Sequence, residues 1–94
     1  MNWVCRLSDE AIKQLRRFPP ERQTQVASAI TEMETDPLKG DVLPLKGKKF
    51  QKTYRKRVGR YRVIFALDTA NRVIEIAAIL ARSEQTYRGQ EQRF

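Results

Sequence analysis

Histidine is absent from this chain of 94 residues, and cysteine occurs once, as Cys5. The first absence removes the commonest acid–base group at neutral pH and the commonest metal ligand together. The second excludes an internal disulfide. A lone cysteine in an apolar strand is expected to be a buried, inert thiol. No apolar run approaches the length needed to span a bilayer. The opening MNWVCRLSDE lacks the basic and then apolar pattern of a secretion signal, so a cytoplasmic protein is expected. One further lack is local: from Val42 to Leu67 there is no acidic residue.

What is there instead is basic charge, and it is lopsided. The formal net charge is +8. Residues 1–45 hold six Lys/Arg against seven Asp/Glu, a net of −1, and residues 46–94 hold thirteen against four, a net of +9. A block of one sign on one part of a fold is the footprint of a phosphate-rich partner. A solvated basic face and an acidic protein partner fit the same charge. Hydrophobic residues make up 40%, which marks a globular chain and not a basic tail. The length suits one small domain over residues 1–94, burying roughly 60–65% of its unfolded surface. No repeat, low-complexity tract or interdomain linker interrupts it.

The hydrophobic pattern predicts the elements. Asn2 to Leu7 alternates, with Trp3, Cys5 and Leu7 on one side, as in a strand with one buried face. Ser8 offers an N-cap, and Asp9 and Glu10 fall in the first helical turn, where the helix dipole favours acids. Ala11, Ile12, Leu15 and Phe18 form a helical stripe, with Lys13, Gln14, Arg16 and Arg17 facing outward. Pro19 ends this helix, and Pro20 suits the first position of a second one running to about Asp36. Pro37 to Lys49 reads as a loop, punctuated by Pro37, Gly40, Pro44 and Gly47. A hairpin follows, from Phe50 to Val58 and from Arg60 to Leu67, turning at Gly59. Its parity places Arg55 and Arg57 on one face, and Lys52, Tyr54 and Lys56 on the other. In the second strand Tyr61, Val63, Phe65 and Leu67 share a face, with Arg60, Arg62, Ile64 and Ala66 opposite. Asp68 to Asn71 is a turn, Arg72 to Leu80 is an apolar and hence central strand, and Ser83 caps a short helix to about Gln90. The order βααβββ(α) does not alternate, so the class is α+β, an antiparallel-rich sheet with a helical hairpin on one face.

The local text carries a resemblance. A Pro-Leu loop with Leu45-Lys46-Gly47 precedes Tyr54-Arg55-x-Arg57-Val58-Gly59-x-Tyr61-Arg62-Val63-Ile64-Phe65, and an apolar strand leads to Arg82 and then Tyr87. Over essentially its whole length the chain resembles the RelE/ParE superfamily of bacterial toxins from toxin–antitoxin pairs, closest to the RelE branch. That resemblance implies a metal-independent, cofactor-free endoribonuclease, an mRNA interferase that cuts A-site mRNA on the ribosome by 2′-hydroxyl attack and leaves a 2′,3′-cyclic phosphate. The implied catalytic residues are Arg55, Arg57, Arg62, Arg82 and Tyr87. The implied partners are the ribosome, mRNA and an acidic antitoxin that forms an oligomer with the toxin. The chain departs from the RelE pattern in two ways: Arg stands at 55 and 57 where some relatives carry Lys, and Leu80-Ala81 precedes Arg82 where many carry Gly-His. A ParE-like gyrase poison without nuclease chemistry, and an inactive basic RNA-binding module, are alternatives with the same fold and charge.

The residues make sense of such chemistry on their own terms. Attack by a 2′-hydroxyl needs a base, an acid, and a group to neutralise the phosphorane. The planar arginine fork suits the last task. Without histidine, Tyr87 among arginines is a base candidate, because nearby cations favour phenolate over an ordinary pKa of about 10. Arginine releases its proton reluctantly, so Arg82 is a poor acid. Such a site is a slow nuclease on free RNA, and positioning by the ribosome supplies the rate. Lys46, Lys48, Lys49 and Lys52 read as RNA-backbone contacts. Tyr54 and Tyr61 read as sheet packing.

Overall fold

The computed structural model describes residues 2–47 and 52–81. Seven elements follow in chain order: β1 (Val4–Leu7), α1 (Asp9–Arg16), α2 (Pro20–Met33), β2 (Val42–Pro44), β3 (Thr53–Val58), β4 (Tyr61–Asp68) and β5 (Val73–Ala81). They form a five-stranded sheet in the order β1-β5-β4-β3-β2. Strand β1 runs parallel to β5, and the other pairs are antiparallel. Both helices pack on one face, as the sequence pattern predicts.

Local chemistry sets the helix ends. Ser8 Oγ accepts the Ala11 N–H at 3.0 Å, so Ser8 is the N-cap of α1. Pro20 takes the first position of α2, where its missing N–H costs nothing. Gln23 Nε2 donates to the Phe18 carbonyl at 2.8 Å and to that of Arg16 at 3.4 Å, tying off the end of α1.

The core lies between the helices and the sheet. Strand β4 contributes Tyr61, Val63, Phe65 and Leu67; β5 contributes Ile74, Ile76 and Ile79; α1 gives Ala11, and α2 gives Val26, Ile30 and Met33. Trp3, Cys5 and Leu7 pack against this cluster with the parity read from the sequence. Tyr61 stacks on Phe18 with ring centroids 4.2 Å apart, and Tyr54 stacks on Phe65 at 5.6 Å. Both tyrosines are therefore packing residues of the sheet.

Two expectations need correction. The loop over Pro37 to Lys49 contains the edge strand β2, which pairs Val42 with Lys56 and Pro44 with Tyr54. An edge strand tolerates Pro44, whose missing N–H need not join the ladder. Gln14 does not face outward: its Oε1 accepts the Ile79 N–H at 2.6 Å. Strand β5 carries a β-bulge opposite Ile64 and Phe65, which pair with Ala78 and Ile76 and leave Ala77 over. The extra residue reverses the side-chain parity of β5. Ile79 consequently faces the helices while Ala78 and Leu80 lie on the other side. The helix placed at Ser83 to Gln90, like the first residues of the strand read from Phe50, falls outside the described residues.

Candidate functional site

The β3–β4 hairpin closes on Gly59 and Arg60 between the paired residues Val58 and Tyr61. Gly59 has φ +57, and Arg60 does not have positive φ, the combination of a type II′ hairpin turn with glycine first. A Cβ on Gly59 would also meet Gln25 Nε2 at 2.7 Å. This turn fixes the register of everything behind it.

That register pairs Arg57 directly with Arg62, and Arg55 with Ile64. All three arginines lie on the sheet face away from the helices. Directly opposed residues hold their Cβ atoms about 4.5–5.5 Å apart, and diagonal ones such as Arg55 and Arg62 lie about 7–8 Å apart. The face around them is apolar: Leu43 pairs with Arg55, Leu80 with Arg62 and Ala78 with Ile64. Arg55 is 8% exposed and Arg62 9%. Arg55 is therefore not a solvated surface charge.

A residue that the sequence reading passed over completes the cluster. The Asp41 carboxylate lies 3.8 Å from Arg55 Nη2 and 3.7 Å from Arg57 Nε. The Asp41 carbonyl accepts the Arg57 N–H at 2.9 Å. Asp41 stands one residue before the acid-free stretch, and β2 folds it back onto β3. The available signal was the apolar spacing of Val42, Leu43 and Leu45 inside a supposed loop.

The lysines separate into different places. Lys52 precedes β3 in a turn with φ +57. Its carbonyl accepts the Leu67 N–H at 3.0 Å, and its Nζ lies 3.5 Å from Thr69 Oγ1. Leu45, next to Lys46, donates to the Thr53 carbonyl. Lys46 and Lys52 thus belong to the end of the hairpin remote from Arg57; Thr53, the first residue of β3, lies about 13 Å from Arg57 along a strand at about 3.3 Å per residue. Lys56 Nζ donates to the Lys39 carbonyl at 2.8 Å. Arg82, Tyr87, Lys48 and Lys49 lie outside the described residues. Among the described residues no three His, Cys, Asp or Glu side chains gather as a metal site, and no helix is long and apolar enough to cross a membrane.

In chemical terms this is a small cationic surface with an apolar floor. Its guanidinium groups can engage the oxygens of a phosphodiester, and Asp41 is the acid among them.

The fold has close counterparts. The toxin–antitoxin complex RelBE2 of Mycobacterium tuberculosis superposes with a TM-score of 0.77 at 23% identity, covering 87% of this chain and 100% of that one. The RelE–RelB complex of the archaeon Pyrococcus horikoshii matches with a TM-score of 0.76 at 26% identity, over 89% of this chain and 99% of that one. A YoeB/ParE toxin from Agrobacterium tumefaciens matches at 0.71 and 13% identity, over 85% and 99%. A search of curated proteins found no match. The family model for the ParE toxin of the type II toxin–antitoxin system parDE matches residues 5–86. With that model spanning most of its length, the chain belongs to the ParE toxin family, within the RelE/ParE superfamily of type II toxin–antitoxin systems.

Proposed function

We propose that this toxin is a ribosome-dependent mRNA interferase of the RelE kind, a metal-independent endoribonuclease acting through 2′-hydroxyl attack. The observation that carries the reading is the direct opposition of Arg57 and Arg62, with Arg55 diagonal to them. Like charges facing each other across a strand pair are destabilising. A fold that keeps them on a face with an apolar floor breaks a local rule, and such breaks cluster where function compensates. An anion with several oxygens removes the conflict. In this reading Arg55, Arg57 and Arg62 hold the scissile phosphate and stabilise the phosphorane, Tyr87 acts as the base, and Arg82 adds a further cation beside the phosphate. Lys46, Lys48, Lys49 and Lys52 contact RNA backbone away from the chemistry, in agreement with the placement of Lys46 and Lys52 at the far end of the hairpin. The protein acts in the cytoplasm as a single domain.

Its regulator is then a cognate antitoxin. The M. tuberculosis and P. horikoshii counterparts are toxin–antitoxin complexes, and an acidic partner suits a chain of net charge +8. Binding of the basic face by such a polypeptide would silence the toxin and build a hetero-oligomer.

A second reading has its own support. The matching family model is that of ParE, and Arg55 is buried against Asp41, as a structural ion-pair residue would be. On this reading the chain is a gyrase poison without nuclease activity. Primer-extension mapping of mRNA in a translating extract, run beside a gyrase supercoiling assay, separates the two. The interferase reading expects cuts at A-site codons. Arg57→Ala and Arg62→Ala should each slow cleavage by about 10²–10³-fold, the usual cost of losing one donor to a developing charge. Tyr87→Phe should abolish the cuts. Intact mRNA together with blocked supercoiling would establish the ParE reading instead.

A further inference from the structure

The acid beside the arginines is held there by its backbone. Val42 N–H bonds to the Gly40 carbonyl at 3.0 Å, closing a three-residue turn centred on Asp41. The Asp41 carbonyl is bonded to Arg57 N–H, and the Lys39 carbonyl to Lys56 Nζ. Gly40 has φ +90, and a Cβ there would lie 3.0 Å from Lys56 Nζ. The turn is thus tied to β3 on both sides of Asp41, while the Asp41 side chain remains half exposed.

The carboxylate is close enough to neutralise charge and too far to hydrogen-bond. Its distances of 3.8 and 3.7 Å to Arg55 and Arg57 exceed the roughly 2.7–3.2 Å of an N–H···O bond. Arg55 Nη1 and Arg57 Nε are buried and have no hydrogen-bond acceptor. Buried donors normally have acceptors, and exceptions call for a reason.

We infer that Asp41 is the resident anion of the arginine site, a selectivity residue whose carboxylate holds the position a phosphodiester takes. Binding is then an exchange: the side chain turns out toward solvent while its backbone stays on β3, and phosphate oxygens meet the guanidinium N–H groups that Asp41 leaves unbonded. An anion tethered in the same chain competes at high effective concentration. Isolated phosphate therefore binds poorly, and a polynucleotide that adds contacts elsewhere displaces the carboxylate. The inference rests on the phosphate-binding reading of Arg55, Arg57 and Arg62.

The test uses the full chain, with inorganic phosphate and an all-deoxy trinucleotide, which lacks the attacking hydroxyl, as probes. Asp41→Asn keeps the side-chain size and removes the charge. It should lower the melting temperature in chloride buffer and regain it in phosphate at equal ionic strength, while phosphate moves the parent little. The trinucleotide should bind the variant about tenfold or more tightly, the scale of removing one charge about 4 Å away in a half-solvated site. Equal or weaker binding by Asp41→Asn overturns the inference. Asp41→Glu retains the charge and tests the idea without the same risk to folding. It should bind phosphate no more tightly than the parent, and tighter binding counts against a competing carboxylate. Arg57→Ala separates the two levels of argument. If it leaves both affinities unchanged, the phosphate-binding reading fails. If it loses binding while Asp41→Asn gains none, only the role of Asp41 fails.

Discussion

Burial pushes the Cys5 thiol up to about 11, with the negative charge of Glu34 adding to the shift. Its Sγ lies 3.5 Å from the Ile30 carbonyl. Iodoacetamide at pH 8 should modify the folded chain about a hundredfold more slowly than the unfolded chain, because the thiolate is the nucleophile. Equal rates in native and denaturing buffer would contradict the burial. The linkage has a definite sign. The folded thiol ionises later than the unfolded one, so its contribution to stability is present below 9.0 and declines as pH rises toward about 11. The inward side of Cys5 was legible in the sequence from the apolar face of an alternating strand, although the thiol there is half-buried and not fully buried. So was the common face of Arg55 and Arg57, since strand parity needs no tertiary knowledge. The pairing of Arg57 with Arg62 required the turn at Gly59 to set a register, and the approach of Asp41 required a chain reversal that parity does not encode.

At the level of elements, α1 does more than cover the sheet. Strand β1 stops pairing at Leu7 opposite Ile76, so β5 loses its neighbour just as the bulge begins. Helix α1 takes over. Ser8 Oγ donates to the Ala77 carbonyl at 2.8 Å, and Gln14 Oε1 accepts the Ile79 N–H at 2.6 Å. Gln14→Leu should cost about 1–3 kcal/mol, because it leaves a part-buried amide without an acceptor. Hydrogen exchange at the Ile79 amide should quicken well beyond that of the Phe65 amide, and unchanged protection would remove Gln14 from this role. The helices themselves were readable from caps and stripes, and Ser8 and Pro20 mark their starts as expected. Strand β2 was not readable, because Pro37, Gly40, Pro44 and Gly47 give the same punctuation to a loop and to a three-residue edge strand. Gln14 was missed for a related reason: helical periodicity sorts residues by polarity, and a glutamine that serves a strand is still polar.

Over the molecule as a whole, one core supports both helices and every strand. Phe65 sits at its centre, fully buried, on the strand between β3 and β5. Phe65→Ala should cost about 3–5 kcal/mol, against a total stability of about 5–15 kcal/mol for an ordinary domain. A single urea transition should shift far to lower concentration, with the arginine face lost together with the helices. A variant that loses one and keeps the other would show that the core is divided. Its mixed sheet also has a consequence in time. The parallel partner of β1 is β5, the first and last strands of the described chain. At about 5–20 residues per second of synthesis, the interval from Leu7 to Val73 is roughly 3–13 s. Through that interval Trp3, Cys5 and Leu7 lack the neighbour that completes their packing, and Arg62 lacks Leu80 beside it. The hairpin that gathers the arginines is thus made before its sheet is whole: β5 must enter between β4 and β1 before Leu80 stands beside Arg62.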